Sequence, residues 1–296
     1  MNRLFTAISL FTILFLAACT QPKDGKPIVT VTIEPQRYFA EAIAGDNFKI
    51  NCMVPAGSNP ESYDPTTQQM VDLGKSDAYF KIGHIGFEQA WMQNIIDNNK
   101  QLKIYDNSDN FPLIEGVEHT HEDGTACSAS HDHDHAGVDP HTWSSIQGAR
   151  IISANMLKAF EELDPANASV YQANYNKLVA TIDSTATVVD RLMQQPASKT
   201  FIIYHPALTY FARDYGLNQL CIEINGKEPS PAQIKKLIEG ARETGAKVVF
   251  IQQEFDKKNA EVISKETECE LVQINPLAYD WNGEMINIAK ALSNEQ

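Results

Sequence analysis

The chain has 296 residues, 43% of them apolar, with 24 basic and 38 acidic side chains and a formal net charge of −14. That balance argues against nucleic acid or an anionic membrane surface as a partner, since both need a basic patch. It is compatible with a cationic ligand, although acidity alone selects none.

At the amino terminus, Arg3 precedes an apolar run from Leu4 to Leu16 that ends in Leu16-Ala17-Ala18-Cys19. This is the layout of an export signal, and its apolar core is too short to span a bilayer. The last four residues match a bacterial lipobox, in which the Cys19 thiol receives lipid. Residues 1–18 are therefore expected to be a signal peptide. Residues 19–27, with Pro22 and Gly25, read as a lipid-anchored polar tether. The body is then exported and held at the cell envelope. Beyond Cys19 stand Cys52, Cys127, Cys221 and Cys269, with no CxxC pair, which argues against a thiolate zinc knot. Export permits disulfides, and Cys221 and Cys269 fall in the same half of the chain.

Residues 28–33 (Ile-Val-Thr-Val-Thr-Ile) read as a strand, and Pro35 opens a helical pattern through Ala44. A strand over 48–54 leads into a Pro/Gly/Ser/Asn loop over 55–65. A helix over 66–75, a strand over 78–82, a helix over 87–97 and a strand over 102–105 follow. Such alternation predicts a parallel sheet with helices on both faces. Residues 115–137 break the pattern with a polar, low-complexity stretch. A helical segment starts at Ser144, and after Asp164-Pro165 comes a long periodic stretch over 165–196. There Tyr171, Tyr175, Leu178, Ile182, Val189 and Leu192 form one apolar stripe. About 30 helical residues reach ~45 Å, the length of a strut between two lobes. The alternation then restarts: a strand over 200–204, a helix opened by Pro206, and a strand over 217–224. Next comes a helix capped by Ser230 with Pro231 at its first position. A strand over 248–252, a helix over 257–267, a strand over 270–274 and a helix over 281–292 complete the chain. The expected fold class is α/β, with lobes over 28–164 and 197–296 joined by a rigid helix.

Five of the eight histidines, His119, His121, His131, His133 and His135, lie in the 115–137 stretch among Glu118, Glu122, Asp123, Asp132 and Asp134. Imidazoles on flexible backbone bind transition metals promiscuously and weakly, because ordering the chain costs entropy at each capture. His205 stands at the carboxyl end of a strand, where ligand sites gather in open α/β sheets. His141 sits in Asp139-Pro140-His141, where proline stiffens the turn and the aspartate can orient a neighbouring donor. Glu61 lies in the 55–65 loop. Singly, each has an ordinary reading as a solvated loop residue. His84 reads as structural, and Trp91, Trp143 and Trp281 as packing residues.

The segments around Glu61, His141 and His205, with 224–231 (Ile-Asn-Gly-Lys-Glu-Pro-Ser-Pro) and Ile274-Asn275-Pro276-Leu277, resemble the zinc and manganese solute-binding proteins of ABC transporters. Glu34-Pro35-Gln36, Phe87-Glu88 and the histidine-rich stretch before Asp139 extend the resemblance over nearly the whole chain beyond residue 18. It implies two Rossmann-like lobes bridged by one long helix, a metal in the cleft between them, a membrane permease subunit as partner, and no catalysis. His141 and His205 match the second and third ligand positions. Glu61 stands where zinc members usually carry histidine, and a carboxylate can serve there at about 2.0–2.2 Å. The fourth position, often aspartate, is Asn275. An amide oxygen is a weak zinc ligand, so Asp280 or water is expected to complete the shell. Two imidazoles and a carboxylate suit Zn2+, whereas more oxygen would lean to Mn2+. The histidine-rich stretch favours Zn2+, with Mn2+ as the alternative. A monomer is expected. Because imidazole must be neutral to bind, affinity should fall below about pH 6. Two rival classes share parts of this pattern. One is a zinc hydrolase, for which no HExxH is present, and the other a metal-stabilised adhesin.

Overall fold

The computed structural model describes residues 25–115, 137–224 and 226–294. Cys19, Cys127, His119, His121, His131, His133 and His135 lie outside the described residues. Two four-stranded parallel sheets organise the rest. The first comprises β1 (Ile28–Val31), β2 (Lys49–Cys52), β3 (Ala78–Lys81) and β4 (Lys103–Asp106) in the order β2-β1-β3-β4. The second comprises β5 (Thr200–Ile203), β6 (Asn218–Cys221), β7 (Val248–Gln252) and β8 (Glu270–Ile274) in the order β6-β5-β7-β8. The same winding therefore occurs twice. In each sheet the order reverses beside the first strand, which opens a crevice at the carboxyl ends.

Helices α1 (Glu34–Ala44), α2 (Thr67–Leu73), α3 (Gly86–Asn98) and α4 (Ile146–Leu163) belong with the first sheet. Helices α6 (Thr209–Tyr215), α7 (Pro231–Thr244), α8 (Lys258–Thr267) and α9 (Trp281–Leu292) belong with the second, and α5 (Ala168–Met193) runs between them. Strand alternation assigns each sheet two faces. Ile202, Tyr204, Val249 and Ile251 pack outward with Ala241, Ala260 and Ile263 of α7 and α8. Phe201, Ile203, Val248 and Phe250 point the other way, into a core shared with Val29, Val31, Ala78 and Phe80 of the first sheet. That shared core runs through α1, α4, α5 and α9, so the lobes have one continuous interior rather than two. Met53, Tyr79, Phe87 and Ile95 form the outer core of the first lobe.

Helix α5 has 26 residues, or about 39 Å at 1.5 Å per residue. Its stripe of Tyr171, Leu178, Ile182, Val189 and Leu192 is buried against α1 and α4 on one side and α9 on the other. A 3-10 turn over Pro165–Asn167 leads into it, and Asp164 fixes that corner by accepting from Tyr171 Oη at 2.5 Å and Asn167 Nδ2 at 2.7 Å. Bonds across the seam add to the shared core. Trp143 Nε1 donates to the Pro276 carbonyl at 2.9 Å, Trp281 Nε1 to the Trp143 carbonyl at 2.8 Å, and Tyr210 Oη to the Asp139 carbonyl at 2.7 Å.

Some expected boundaries shift. The helix after His205 begins at Thr209 rather than Pro206, because residues 205–207 make a tight turn closed by Ala207 N donating to the His205 carbonyl at 2.7 Å. The strand expected over 217–224 is regular only over Asn218–Cys221, although Ile222 and Glu223 still donate to Ile203 and Tyr204 carbonyls at 2.9 and 3.1 Å. Cys221 and Cys269 do not form a disulfide with each other. Cys221 ends β6 at one edge, whereas Cys269 precedes β8 at the other, and they point into different cores. Three strand spacings, ~14 Å, separate those edges, well beyond disulfide reach.

Candidate metal centre

Strand β5 ends at Ile203, and the chain delivers His205 two residues on, at the switch point between β5 and β7. Gln252, at the end of β7, grips both backbone groups of His205. Its Oε1 accepts from His205 N at 3.3 Å, and its Nε2 donates to the His205 carbonyl at 2.7 Å. Glu223 lies beside Tyr204 in the continued β5–β6 ladder, and its Oε1 meets His205 Nδ1 at 2.7 Å. His141 arrives from the first lobe. Asp139 Oδ1 accepts from His141 N at 2.9 Å and from its Nδ1 at 3.0 Å. The 3-10 turn over Thr142–Ser144 then rests directly on Gly148 of α4, where a Cβ would overlap the Thr142 carbonyl.

Glu61 completes the set from the loop after β2. Its Oε2 accepts from Gly86 N at 2.8 Å, whereas its Oε1 is buried without a hydrogen-bond partner among the described residues. The approach depends on glycine, since a Cβ on Gly86 would sit 2.8 Å from Glu61 Cα and collide with its carbonyl oxygen. Glu88 shapes the turn that presents Gly86. Its carboxylate accepts from Ile82 N at 2.8 Å, Gly83 N at 2.7 Å and Thr32 Oγ1. Burial raises the Glu88 carboxyl to about 7, and those donors offset part of the effect.

These elements bring Glu61, His141 and His205 together, one ligand atom from each lying within 4.8 Å of the others. The two imidazoles are 3% and 7% exposed, and their Nε2 atoms face each other at 3.1 Å. Each Nδ1 has a carboxylate partner, an arrangement that holds the proton on Nδ1 and leaves both Nε2 lone pairs converging. Two lone pairs so close repel unless a proton or a cation lies between them. Tetrahedral Zn2+ with two nitrogens at 2.0–2.1 Å separates those nitrogens by about 3.3 Å, close to the observed spacing. Burial works against charge on His205, but the Glu223 bond and charge, with Glu61 and Asp139, outweigh it and raise its pKa. Burial likewise pushes Asp139 up, and His141 outweighs it to leave the Asp139 pKa lowered. Phe255 stacks on the His205 ring at 5.6 Å between centroids, and Trp143 tilts against His141 at 5.2 Å. The remaining space is a cavity of about 20 Å3 that Asn59, Pro60 and Glu254 also line.

Asp280, expected as the fourth donor, is not in this cluster. It is exposed and caps α9, its Oδ1 accepting from Gly283 N at 3.1 Å. Asn275, the alternative, turns its Oδ1 to Leu277 N at 3.1 Å, and its own N–H donates to Glu284 at 2.7 Å. His84 is exposed, in left-handed backbone with φ 63, and also lies outside the set. Glu223, Gln252 and Glu254 escaped the sequence reading. Their only signal was position: each ends or follows a strand beside β5.

Residues 29–293 match the protein family described as Zinc-uptake complex component A periplasmic. The crystal structure of ZnuA superimposes with a TM-score of 0.81 at 32% identity, covering 92% of this chain and all of that one. Manganese ABC transporter substrate-binding lipoprotein PsaA of Streptococcus mitis is 28% identical over 280 residues, 90% of this chain and 87% of its own length. Zinc-binding protein AdcA of Streptococcus pyogenes serotype M3 is 24% identical over 291 residues, 93% of this chain, but the chain spans only 56% of that protein's length. With a family match that runs over residues 29–293, the chain belongs to the zinc-uptake complex component A family.

Proposed function

We propose that this chain captures Zn2+ outside the cytoplasmic membrane through Glu61, His141 and His205 and delivers it to a membrane permease. The observation that carries the reading is the facing pair of imidazole Nε2 atoms, 3.1 Å apart, each backed by a carboxylate on Nδ1. Two nitrogens and one carboxylate oxygen match the ligand preference of Zn2+. The buried Oε1 of Glu61, without a partner among the described residues, is an acceptor that a cation would satisfy. An anchor on Cys19 would hold the protein near the permease, and the histidine-rich stretch would gather ions for the cleft.

Mn2+ is the second reading. Glu61 supplies oxygen where zinc members usually carry histidine, and the relative PsaA is named for manganese. Metal analysis of the protein isolated natively from cells grown with both ions separates the two, because at equilibrium Zn2+ outcompetes Mn2+ at most nitrogen-containing sites. The expected result is one Zn2+ per chain in the cleft with little Mn2+. Preferential Mn2+ retention would transfer the site to manganese, and retention of neither metal would end the metal-capture reading.

A further inference from the structure

The cluster provides three donors, whereas zinc sites are almost always four-coordinate. The two residues expected to close the shell are engaged elsewhere, Asp280 at the start of α9 and Asn275 in its own turn. One carboxylate on the cavity wall is not. Glu254 follows β7 in an irregular turn, two residues beyond the Gln252 that grips His205, and it lines the same cavity as both imidazoles. Among the described residues its buried Oε1 has no hydrogen-bond partner, the same state as Glu61 Oε1. Leaving a carboxylate oxygen dry and unsatisfied costs free energy that a cation would return.

We propose that Glu254 supplies the fourth donor oxygen to the divalent cation held by Glu61, His141 and His205. Glu254 stands outside the set whose ligand atoms lie within 4.8 Å of one another, so it joins by rotating its own side chain. A long side chain on a turn can do this without moving the lobes. His205 is close enough to draw down the Glu254 pKa, which burial raises overall. Glu254 is thus the mobile donor, last to bind and first to leave, against three donors fixed by hydrogen bonds to backbone or carboxylate. This assignment rests on the metal-capture reading above.

The test compares full-length wild type, Glu254→Gln, Asp280→Asn and His205→Ala, each stripped of metal and titrated with Zn2+ against a competing chelator. Each is also loaded with Co2+, whose visible bands report the number and type of donors. The expected result is that Glu254→Gln weakens Zn2+ binding more than tenfold and alters the Co2+ bands, while Asp280→Asn matches wild type in both. An unchanged Zn2+ affinity in Glu254→Gln would overturn the assignment, and so would weaker binding with unaltered Co2+ bands, since Glu254 would then act from a distance. Melting of the metal-free variants shows whether the fold is intact. If Glu254→Gln does not fold, Glu254→Asp takes its place, because shortening a direct donor by one methylene must also alter the bands. If wild type binds no ion, or His205→Ala binds as tightly as wild type, the metal-capture reading itself fails. If Glu254→Gln behaves as wild type while His205→Ala loses binding, the failure is confined to the fourth donor.

Discussion

The Nε2 atoms of His141 and His205 meet at 3.1 Å although 64 residues separate them in the chain. One histidine enters from the turn before α4 and the other from the end of β5, so the contact crosses the seam between the lobes. Neither ring is free to turn away. Asp139 and Glu223 hold the two Nδ1 atoms at 3.0 and 2.7 Å, Phe255 stacks on the His205 ring and Trp143 tilts against His141. The metal site proposed above would thereby be laid out before the ion arrives, which would reduce the ordering cost of capture.

The carboxylates behind the rings should matter nearly as much as the rings. Glu223→Gln keeps an acceptor beside Nδ1 but removes the charge, and partners of this kind typically contribute 10–100-fold in metal affinity. Chelator competition should show a loss in that range with an unchanged fold.

Gly86 should be intolerant of even one added carbon. A Cβ would lie 2.8 Å from both Glu61 Cα and Glu61 Oε2, so Gly86→Ala must push the Glu61 loop away. The expected outcome is weaker metal binding, with circular dichroism like that of wild type.

Affinity should fall with acidity from a higher pH than an ordinary imidazole dictates. The His205 pKa is raised above 6.5, and a bound cation excludes that proton, so protons begin to compete before pH 6.5 is reached. The sequence alone places the fall below about pH 6; the Glu223 partner moves it upward. For the metal-free protein the sign is opposite. His205 and Glu88, raised to about 7, both bind protons more tightly folded than unfolded. Their contribution to stability is present at low pH and lost as pH rises through the folded values. Metal-free protein should therefore melt higher at pH 6 than at pH 8, whereas Zn2+ binding should stabilise more at pH 8.

Little lobe rotation is expected on loading. The shared core through α1, α4, α5 and α9 and the seam bonds of Trp143, Trp281 and Tyr210 tie the halves together. Scattering profiles of metal-free and Zn2+-loaded protein should nearly superimpose, and a large compaction would refute this.

Much of the fold was legible because strand and helix periodicities are local. The apolar stripe from Tyr171 to Leu192 and the Ser230-Pro231 cap each determine structure within a few turns of themselves. The site was only half legible. His205 could be found from its place at a strand end, but Glu223 could not, because its approach depends on how β6 pairs with β5, a lateral register no short segment encodes. Asp280 carried a signal that pointed elsewhere. It immediately precedes the helix at Trp281 and stands three residues before Gly283, the position of a helix cap, and it caps α9. The ladder continuing past Cys221 to Glu223 explains why 217–224 reads as one strand, although only four of its residues are regular.

The most direct measurement is anomalous diffraction from Zn2+-loaded crystals at the zinc edge. A single cleft peak is expected between the two imidazoles, about 2.0–2.1 Å from Nε2 of His141 and of His205. A strongest peak bound to only one of those nitrogens, or to neither, would contradict the account.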